Sequence, residues 1–310
     1  MTDKNKGIHH ITLLGGDAQR TTDFYVKVLG LRMILKTVNQ DDPSTYHLFF
    51  ANGSGAPGSS ITFFPWPMAT QGKPGTGETV AISFAVPGNS APYWAERFGH
   101  MGVDFEGPFN RFGYDTIRFS DPDRVSLELV FDPVVNDLPA WEESEVPEEF
   151  GIRGFWGTTM KLTNTSGTED ILEAIFGFEK KKSHDALTLW KTGASTGSAV
   201  LIEKSEHKQG TTGRGTVHHV AFRAKDDEEQ EWMGNEALKR GLSPSPVIDR
   251  HVFRSVYFRS PGGVLFEIAT DGPGYKSAQL EEDLGHKLFL PSWLENRRDM
   301  IEKRLPEIEL

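Results

Sequence analysis

GIHHITLL (residues 7–14) and VHHVAFRA (residues 217–224) share an unusual content, a pair of histidines inside an alternating apolar segment. Apolar side chains two residues apart face the same side of a β-strand, so both stretches are predicted to be half-buried strands. Each is followed by a helical stretch, RTTDFYVKVLG (20–30) or EQEWMGNEALKRG (229–241), and then by further strand-like segments. The pattern predicts a β-α-β-β-β module near each end of the chain.

The same order of elements occurs twice more between these two modules. The second module begins at TVAISFAV (79–86) and the third at GTTMKLTN (157–164). A single module is too small to bury its own sheet face, so the modules are expected to pair. Glycine tolerates the left-handed backbone that commonly ends a helix. We therefore expect the four helices to end at Gly30, Gly99, Gly177 and Gly241.

The sequence predicts an α+β fold in which four βαβββ modules form two paired-module domains, followed by a C-terminal helical tail. The predicted segments are an N-terminal domain with modules one and two (1–132), an acidic, proline-containing linker (133–150), a C-terminal domain with modules three and four (151–271) and the tail (272–310). Within the tail, LPSWLENRRDMIEKRL (290–305) is typical of an amphipathic helix that packs on the body.

Composition excludes several classes of function. The 310 residues carry a net charge of −11, which disfavours nucleic acid as a partner. The chain has no cysteine, so disulfides, thiolate metal sites, iron–sulfur clusters and a cysteine nucleophile are excluded. No apolar run is long enough to span a membrane, and MTDKNKGIHH lacks the apolar core of a signal peptide. We expect a cytoplasmic protein without a membrane partner; assembly into a homo-oligomer is left open.

Candidate metal ligands follow from the module pattern, because one position on the first strand and one on the last strand of each module face the cavity of the paired sheet. Module one places His10 and Phe64 there, and module four places His219 and Glu267. An unpaired carboxylate in the apolar strand VLFEI would be strongly destabilising, whereas a bound cation would stabilise it. Two histidines and one carboxylate match the facial triad of non-haem iron(II) enzymes, which leaves coordination positions open.

The corresponding positions in the other two modules lack a histidine. They are Ala81 or Ile82 with Glu128 in module two, and Thr159 or Met160 with Glu203 in module three. We interpret both glutamates as non-metal residues. A lone histidine on an apolar strand is more often structural, but two HH pairs at the same place in two modules favour the metal interpretation. The triad requires module one to lie against module four, which leaves module two against module three.

With these residues the chain resembles the vicinal oxygen chelate superfamily, which includes glyoxalases, bleomycin resistance proteins and extradiol dioxygenases. The stretches GIHHITLL, TVNQDDPSTYHLFF (37–50) and VIDRHVFRSVYFRSPGGVLFEIATD (247–271) resemble more narrowly the hydroquinone-type ring-cleaving dioxygenases, and the resemblance covers nearly the whole chain. It implies an extradiol-type ring-cleaving dioxygenase that uses Fe(II), with Mn(II) as the alternative. Its partners would be O2 and a small hydroquinone-like or catechol-like aromatic diol.

The resemblance also implies roles for individual histidines. By the family pattern, the histidine directly before the β-branched residue binds the metal, which selects His10 and His219. Adjacent strand residues face opposite sides, so His9 and His218 are not expected to be ligands. The resemblance makes His9 and His218 catalytic candidates that lie beside the ligands or contact substrate. Spacing alone fits a structural histidine equally well.

Four further residues are candidates for the site. Tyr257 precedes Glu267 by ten residues, which fits the adjacent antiparallel strand and would let its phenol reach a metal-bound oxygen. Arg250 could hold a phenolate or stabilise developing negative charge. Either residue could instead lie on the surface of its strand. Thr12, two residues from His10, and Phe64 are predicted to line the substrate cavity.

Two other functions remain open. One is a glyoxalase-like lyase or isomerase that uses Ni(II), Zn(II) or Mn(II), and the other is a non-enzymatic sequestering or resistance protein of the same fold. Phe64 at the fourth ligand position disfavours the glyoxalase reaction, since glyoxalases usually place four protein ligands there. The filled triad argues against sequestration, which does not need an open metal.

Overall fold

The computed structural model describes residues 6–310. The first five residues of the predicted N-terminal domain lie outside the described residues, and they form half of the stretch MTDKNKGIHH that was used to predict the lack of a signal peptide. The predicted α+β fold of four βαβββ modules is confirmed. Module one contains β1 (Ile8–Gly15), β2 (Arg32–Val38), β3 (Tyr46–Ala51) and β4 (Ser60–Pro65). Module two contains β5 (Glu78–Val86), β6 (Phe105–Arg111), β7 (Tyr114–Ser120) and β8 (Ser126–Phe131).

The second half of the chain repeats this arrangement. Module three contains β9 (Gly154–Leu162), β10 (Glu179–His184), β11 (Leu187–Lys191) and β12 (Ala199–Lys204). Module four contains β13 (Thr216–Ala224), β14 (Ile248–Asp249), β15 (Phe253–Arg259) and β16 (Leu265–Pro273). The module helices are α1 (Ala18–Asp23), extended by a π-helical turn (Phe24–Val28), α2 (Ala91–Met101), α3 (Ser166–Ala174) and α4 (Asp227–Lys239).

The strands form two eight-stranded sheets, and each sheet combines modules from both halves of the chain. The first has the order β14-β15-β16-β13-β1-β4-β3-β2, and the second has the order β10-β11-β12-β9-β5-β8-β7-β6. Antiparallel pairing of β1 with β13 and of β5 with β9 joins the modules. The predicted pairing of module one with four and two with three is confirmed. Each sheet therefore combines strands from residues 1–132 with strands from residues 151–271. The boundaries of these two segments stay a prediction.

Three of the four predicted helix ends carry the expected left-handed glycine. Gly30, Gly177 and Gly241 have φ of 70°, 69° and 76°. The prediction for Gly99 is wrong, because Gly99 lies inside α2 and the left-handed residue is Gly102, with φ of 67°. Helix α2 continues past Gly99 because Gly102, not Gly99, supplies the backbone reversal, and Val103 then bonds back to the carbonyl of Phe98.

The tail packs on the body as predicted, but its helix is shorter than expected. The described tail has a 3-10 turn at Glu295–Arg297 and the short helix α5 (Arg298–Glu302). Pro291 disfavours helical backbone at the residue before it, so Leu290 cannot belong to the helix. Buried leucine and isoleucine side chains nevertheless anchor the tail in the main core; they are Leu290, Leu294, Ile301 and Leu305.

The main hydrophobic core contains residues of all four modules, including Phe63, Phe84, Phe176 and Phe222. None of the helices between residues 6 and 310 combines the length and the apolar composition needed to cross a membrane.

Candidate metal centre

Two of the three candidate metal ligands, His10 and Glu267, lie on one row of the first sheet. His10 on β1 is opposite Ala221 on β13, Ala221 is opposite Glu267 on β16, and Glu267 is opposite Tyr257 on β15. His219 precedes Ala221 by two residues and therefore shares its face of the strand. Ala221 is fully buried between His10 and Glu267, and its side chain is only a methyl group. This leaves space above it in which the side chains of the three candidate ligands converge.

Three donor atoms meet above this row. The distance between His219 Nε2 and Glu267 Oε2 is 2.8 Å, and His10 Nε2 lies 3.3 Å from both Glu267 Oε2 and His219 Nε2. Ligand bonds of about 2.1 Å at right angles would place donor atoms about 3.0 Å apart. Among the residues that the structure describes, this is the one group of three His, Asp or Glu side chains with such an arrangement. The predicted triad is thus brought together.

The surroundings of Glu267 test whether a cation fits. Its side chain is completely buried, and Oε2 accepts no hydrogen bond of acceptable geometry although two imidazole nitrogens lie beside it. A buried carboxylate oxygen without a partner is strongly unfavourable in an empty apolar sheet. A divalent ion between the three donor atoms would satisfy it, so the residues present fit a first-row metal.

Each candidate ligand is held by a partner on its far side. His10 Nδ1 lies 3.0 Å from His9 Nδ1, and His219 Nδ1 lies 2.8 Å from His218 Nδ1. Ser255 Oγ donates to Glu267 Oε1 at 2.5 Å. If Nε2 of each ligand faces a metal, its Nδ1 carries the proton and donates to the neighbouring histidine. Such bonds fix the tautomer and the ring orientation of metal-binding histidines.

The burial of these groups sets their protonation. Burial alone would raise the pKa of Glu267, but His10 and His219 beside it hold that pKa well below its usual range. Burial lowers the pKa of His219 and lowers that of His9 further. Withdrawal of the ring from water, and then proximity to His219, lowers the pKa of His218 to about 4, although one edge of the residue is exposed. A charged carboxylate with neutral imidazoles is the state that binds a divalent metal.

Neither His9 nor His218 lines the cavity in front of the candidate ligands. His9 lines a separate cavity of about 340 Å³, together with Asp271 and Lys276. His218 meets the ring of Phe64 edge-on, with centroids 5.9 Å apart. Both histidines therefore contact the far side of a candidate ligand and do not face the cavity.

A compact cavity of about 40 Å³ lies in front of the candidate ligands, and we call it the first cavity. Phe64, Tyr257 and Arg250 line it, as predicted. The prediction for Thr12 is wrong: Thr12 is completely buried behind the wall, where its hydroxyl bonds Thr62 at 2.8 Å. Its small side chain does not reach past this partner.

The polar wall of the first cavity comes from both modules. The Arg250 guanidinium lies 3.4 Å from Gln40 Oε1 and from Asp41 Oδ2, and it lies over the Tyr257 ring at 5.8 Å. Burial, reinforced by the charge of Glu267, raises the pKa of Tyr257, so its phenol keeps its proton. The cavity thus presents a cation and a phenol beside the candidate ligands.

Sequence reasoning missed several residues of the site. Ser255 and Phe253 alternate with Tyr257 on β15, and the Phe253 ring stacks on His10 at 4.8 Å; the period of two was a usable signal. His47 also lines the cavity, and its Nε2 bonds Thr62 Oγ1 at 2.9 Å. Phe289 also lines the cavity because its amide bonds Lys36 O, a contact with no sequence pattern.

Comparisons with known proteins agree with this geometry. The profile of the Glyoxalase/Bleomycin resistance protein/Dioxygenase superfamily matches residues 7–129. MhqO of Bacillus subtilis (strain 168), named as a ring-cleaving dioxygenase, is 40% identical over 310 residues, which cover 100% of this chain and 99% of MhqO. Chlorohydroquinone/hydroquinone 1,2-dioxygenase of Sphingobium indicum is 31% identical, covering 96% of this chain and 95% of the relative.

Solved structures show the same architecture. A crystal structure of a protein named as a dioxygenase from Bacillus subtilis matches with a TM-score of 0.95 and 39% identity, covering 99% of this chain and 98% of the other. Glyoxalase I from Zea mays matches with a TM-score of 0.64 and 15% identity, covering 86% and 92%. At that identity the second match concerns the fold alone.

Proposed function

This chain belongs to the glyoxalase/bleomycin resistance protein/dioxygenase superfamily and is by family a ring-cleaving dioxygenase; from that premise we propose that it performs Fe(II)-dependent, extradiol-type cleavage of hydroquinone-like aromatic diols with O2. The observation that carries the proposal is the buried group of His10, His219 and Glu267, whose donor atoms converge and whose carboxylate oxygen Oε2 a bound divalent ion would satisfy. Catechol-like diols remain the nearest alternative substrates, and Mn(II) the alternative metal.

His10, His219 and Glu267 would hold the ion, leaving its remaining coordination positions toward the first cavity. Bound iron(II) would supply coordination sites for the diol and O2 and electron transfer between them. Thr12 pairs with Thr62 as Ala221 pairs with Glu267, so the position of a fourth protein ligand is that of Thr62, and the expectation that Phe64 lies there is wrong. Thr62 offers no carboxylate and its hydroxyl bonds Thr12 and His47, which favours an open metal over a glyoxalase-type site.

The protein's own groups would bind and orient the diol. A para-diol presents only one hydroxyl to a metal, so its far hydroxyl needs a partner from the protein. Arg250 can hold an oxygen that gains negative charge, and Tyr257 can donate its phenolic proton to one. Thr62 occupies Nε2 of His47, so Nδ1 of that ring is the nitrogen that can meet a ligand. These donors exceed what a chelated catechol would require, which favours hydroquinones.

Substrate entry requires part of the wall to move. A cavity of about 40 Å³ is far smaller than the roughly 150 Å³ that admits a benzene molecule. Phe289 comes from the tail and Arg250 from the loop before β15, whereas the ligands lie on central strands. We expect these two side chains to yield while the ligands stay fixed.

The proposal is tested by reconstituting the protein with Fe(II) under anaerobic conditions and following oxygen with an electrode. Hydroquinones should cause stoichiometric oxygen uptake, and catechols less. Reconstitution with Mn(II), Ni(II) or Zn(II) gives the comparison for metal identity. If no diol consumes oxygen with either iron or manganese, the proposed reaction is wrong. The cytoplasmic location and the lack of a nucleic-acid partner stay predictions.

A further inference from the structure

The second sheet contains a cavity of about 860 Å³, which we call the second cavity. It lies over a row that corresponds to the row beneath the candidate metal centre. Gly157 on β9 is opposite Ser83 on β5, Ser83 is opposite Glu128 on β8, and Glu128 is opposite Arg118 on β7. The two sheets therefore place four residues in the same order across four strands.

Differences at two positions of this row account for the space. Gly157 occupies the place of His10, and Ala81 occupies the place of His219. Neither residue extends beyond a methyl group, so the volume that imidazoles fill in the first cavity is open in the second. About 860 Å³ falls within the roughly 300–1,000 Å³ of small-molecule sites.

The floor of the second cavity carries an excess of positive charge. The Glu128 carboxylate is completely buried and pairs with two guanidinium groups: Arg111 at 2.5 and 3.0 Å, and Arg118 at 3.0 and 3.3 Å. Ser83 also donates to it at 2.7 Å. Each guanidinium has five N–H donors, and the bonds to Glu128 use two from each. One carboxylate thus faces two cations that keep free donors.

A buried hydroxyl in the same cavity lacks a partner. Thr159 lines the second cavity, is 95% withdrawn from solvent, and its Oγ1 makes no hydrogen bond. In the first sheet, Thr12 occupies the corresponding place and bonds Thr62 on the neighbouring strand. The neighbour of Thr159 is Leu201, which cannot accept or donate. An unpartnered buried hydroxyl is unfavourable unless a ligand meets it.

One wall of the cavity is apolar, and the remaining charged residues form an ion pair or lie at the exposed rim. Phe109 and Phe112 form one side, and Phe109 lies 5.3 Å from the guanidinium carbon of Arg118. Lys161 and Glu203 pair with each other at 2.9 Å. The rim also contains His184 and Asp185, which lie 3.2 Å apart and are solvated. At the buried floor of the cavity, two guanidinium groups therefore face one carboxylate.

We propose that the second cavity is a binding site for a small organic carboxylate with an apolar, ring-sized body. The carboxylate would take the free donors of Arg118 and Arg111, because guanidinium groups bind carboxylates through paired N–H bonds. The Thr159 hydroxyl would bond the same ligand, and the phenylalanine walls would cover its ring. This site holds no residue of the metal triad, so the inference stands independently of the proposed reaction.

Benzoate is a suitable probe and benzamide its neutral control. Titration calorimetry of the full chain should show saturable binding of benzoate, with an affinity at least about tenfold above that of benzamide. Arg118→Met removes the extra cation but leaves Glu128 paired with Arg111 and Ser83, and it should weaken benzoate binding about tenfold or more. Thr159→Val keeps the shape, and should weaken binding about threefold or more even if the arginine variant fails to fold.

Two variants of the first cavity distinguish the sites. Glu267→Gln and Arg250→Met should bind benzoate with wild-type affinity, because neither residue touches the second cavity. ¹⁹F line broadening of 4-fluorobenzoate would report the same pattern. Three results would each overturn the proposal: no saturable binding, equal affinity for benzamide, or loss of binding in the first-cavity variants with none in Arg118→Met and Thr159→Val.

Discussion

Replacing Glu267 by glutamine removes one negative charge from the candidate metal centre and changes its shape very little. Ser255 donates to Oε1 at 2.5 Å, and the amide oxygen of glutamine can accept the same bond. The side chain is fully buried in an apolar strand, so solvent cannot replace the lost charge. The fold should therefore survive while the affinity for a divalent ion falls.

The size of the effect follows from burial. Removing one partner of a buried charge pair costs about 3–5 kcal/mol. At about 1.4 kcal/mol per factor of ten, Fe(II) affinity should fall roughly 10²–10⁴-fold. The midpoint of thermal unfolding of the metal-free variant should equal or exceed that of the metal-free wild type, because the neutral amide removes an uncompensated buried charge.

The assay combines iron content after anaerobic reconstitution with oxygen uptake on a hydroquinone. Glu267→Gln should retain little iron and show no turnover at iron concentrations that saturate the wild type. Glu203→Gln is the matched control, since Glu203 lies on the last strand of module three and pairs with Lys161. That variant should keep both iron and turnover. Full iron and full activity in Glu267→Gln would refute the ligand assignment.

Two further predictions concern residues around the candidate metal centre, and a third concerns a buried aspartate elsewhere in the chain. His218→Phe removes the acceptor behind His219 and should lower Fe(II) affinity about 10–100-fold, measured by competition with a chelator; unchanged affinity would contradict a positioning role. Tyr257→Phe and Arg250→Met should each lower kcat/KM roughly tenfold more for a hydroquinone than for the matching catechol, and an unchanged ratio would mean that neither reads the second hydroxyl. Burial raises the pKa of Asp121 to about 7, so its ionisation destabilises the fold by up to about 4 kcal/mol as pH rises from about 4 to 7. The free energy of unfolding, measured with urea, should therefore fall over this pH range in the wild type and not in Asp121→Asn. An equal fall in both proteins would rule out Asp121 as its source.

Much of the fold could be predicted because the strand periodicity is strong. The histidine pairs mark the first strands of modules one and four, and the need to bring His10 and His219 together predicted which modules pair. Strand alternation limited each histidine pair to one candidate ligand, and the resemblance to the family selected His10 and His219. Tyr257 could be placed opposite Glu267 from their separation alone, and the observed register agrees.

The remaining details depend on contacts between distant segments. Thr12 shares a face with His10, but Thr62 on the neighbouring strand takes its hydroxyl and keeps it behind the wall. The end of α2 was misplaced because two glycines lie three residues apart and only the second adopts the left-handed backbone. Phe289 reaches the first cavity through a backbone bond to Lys36, which no periodic pattern encodes.

A comparison of the two sheets supports the proposal that Glu267, and not Glu128, helps to bind a metal. Glu128 and Glu267 lie at corresponding positions, and each would be unstable without a compensating cation. In the second sheet, Arg118 is directly opposite Glu128, and the guanidinium groups of Arg111 and Arg118 both pair with this carboxylate. In the first sheet, the corresponding residue is Tyr257, a neutral phenol that cannot neutralise Glu267. When the imidazoles beside Glu267 are neutral, a divalent ion held between the three donor atoms would compensate the charge of Glu267, as we propose.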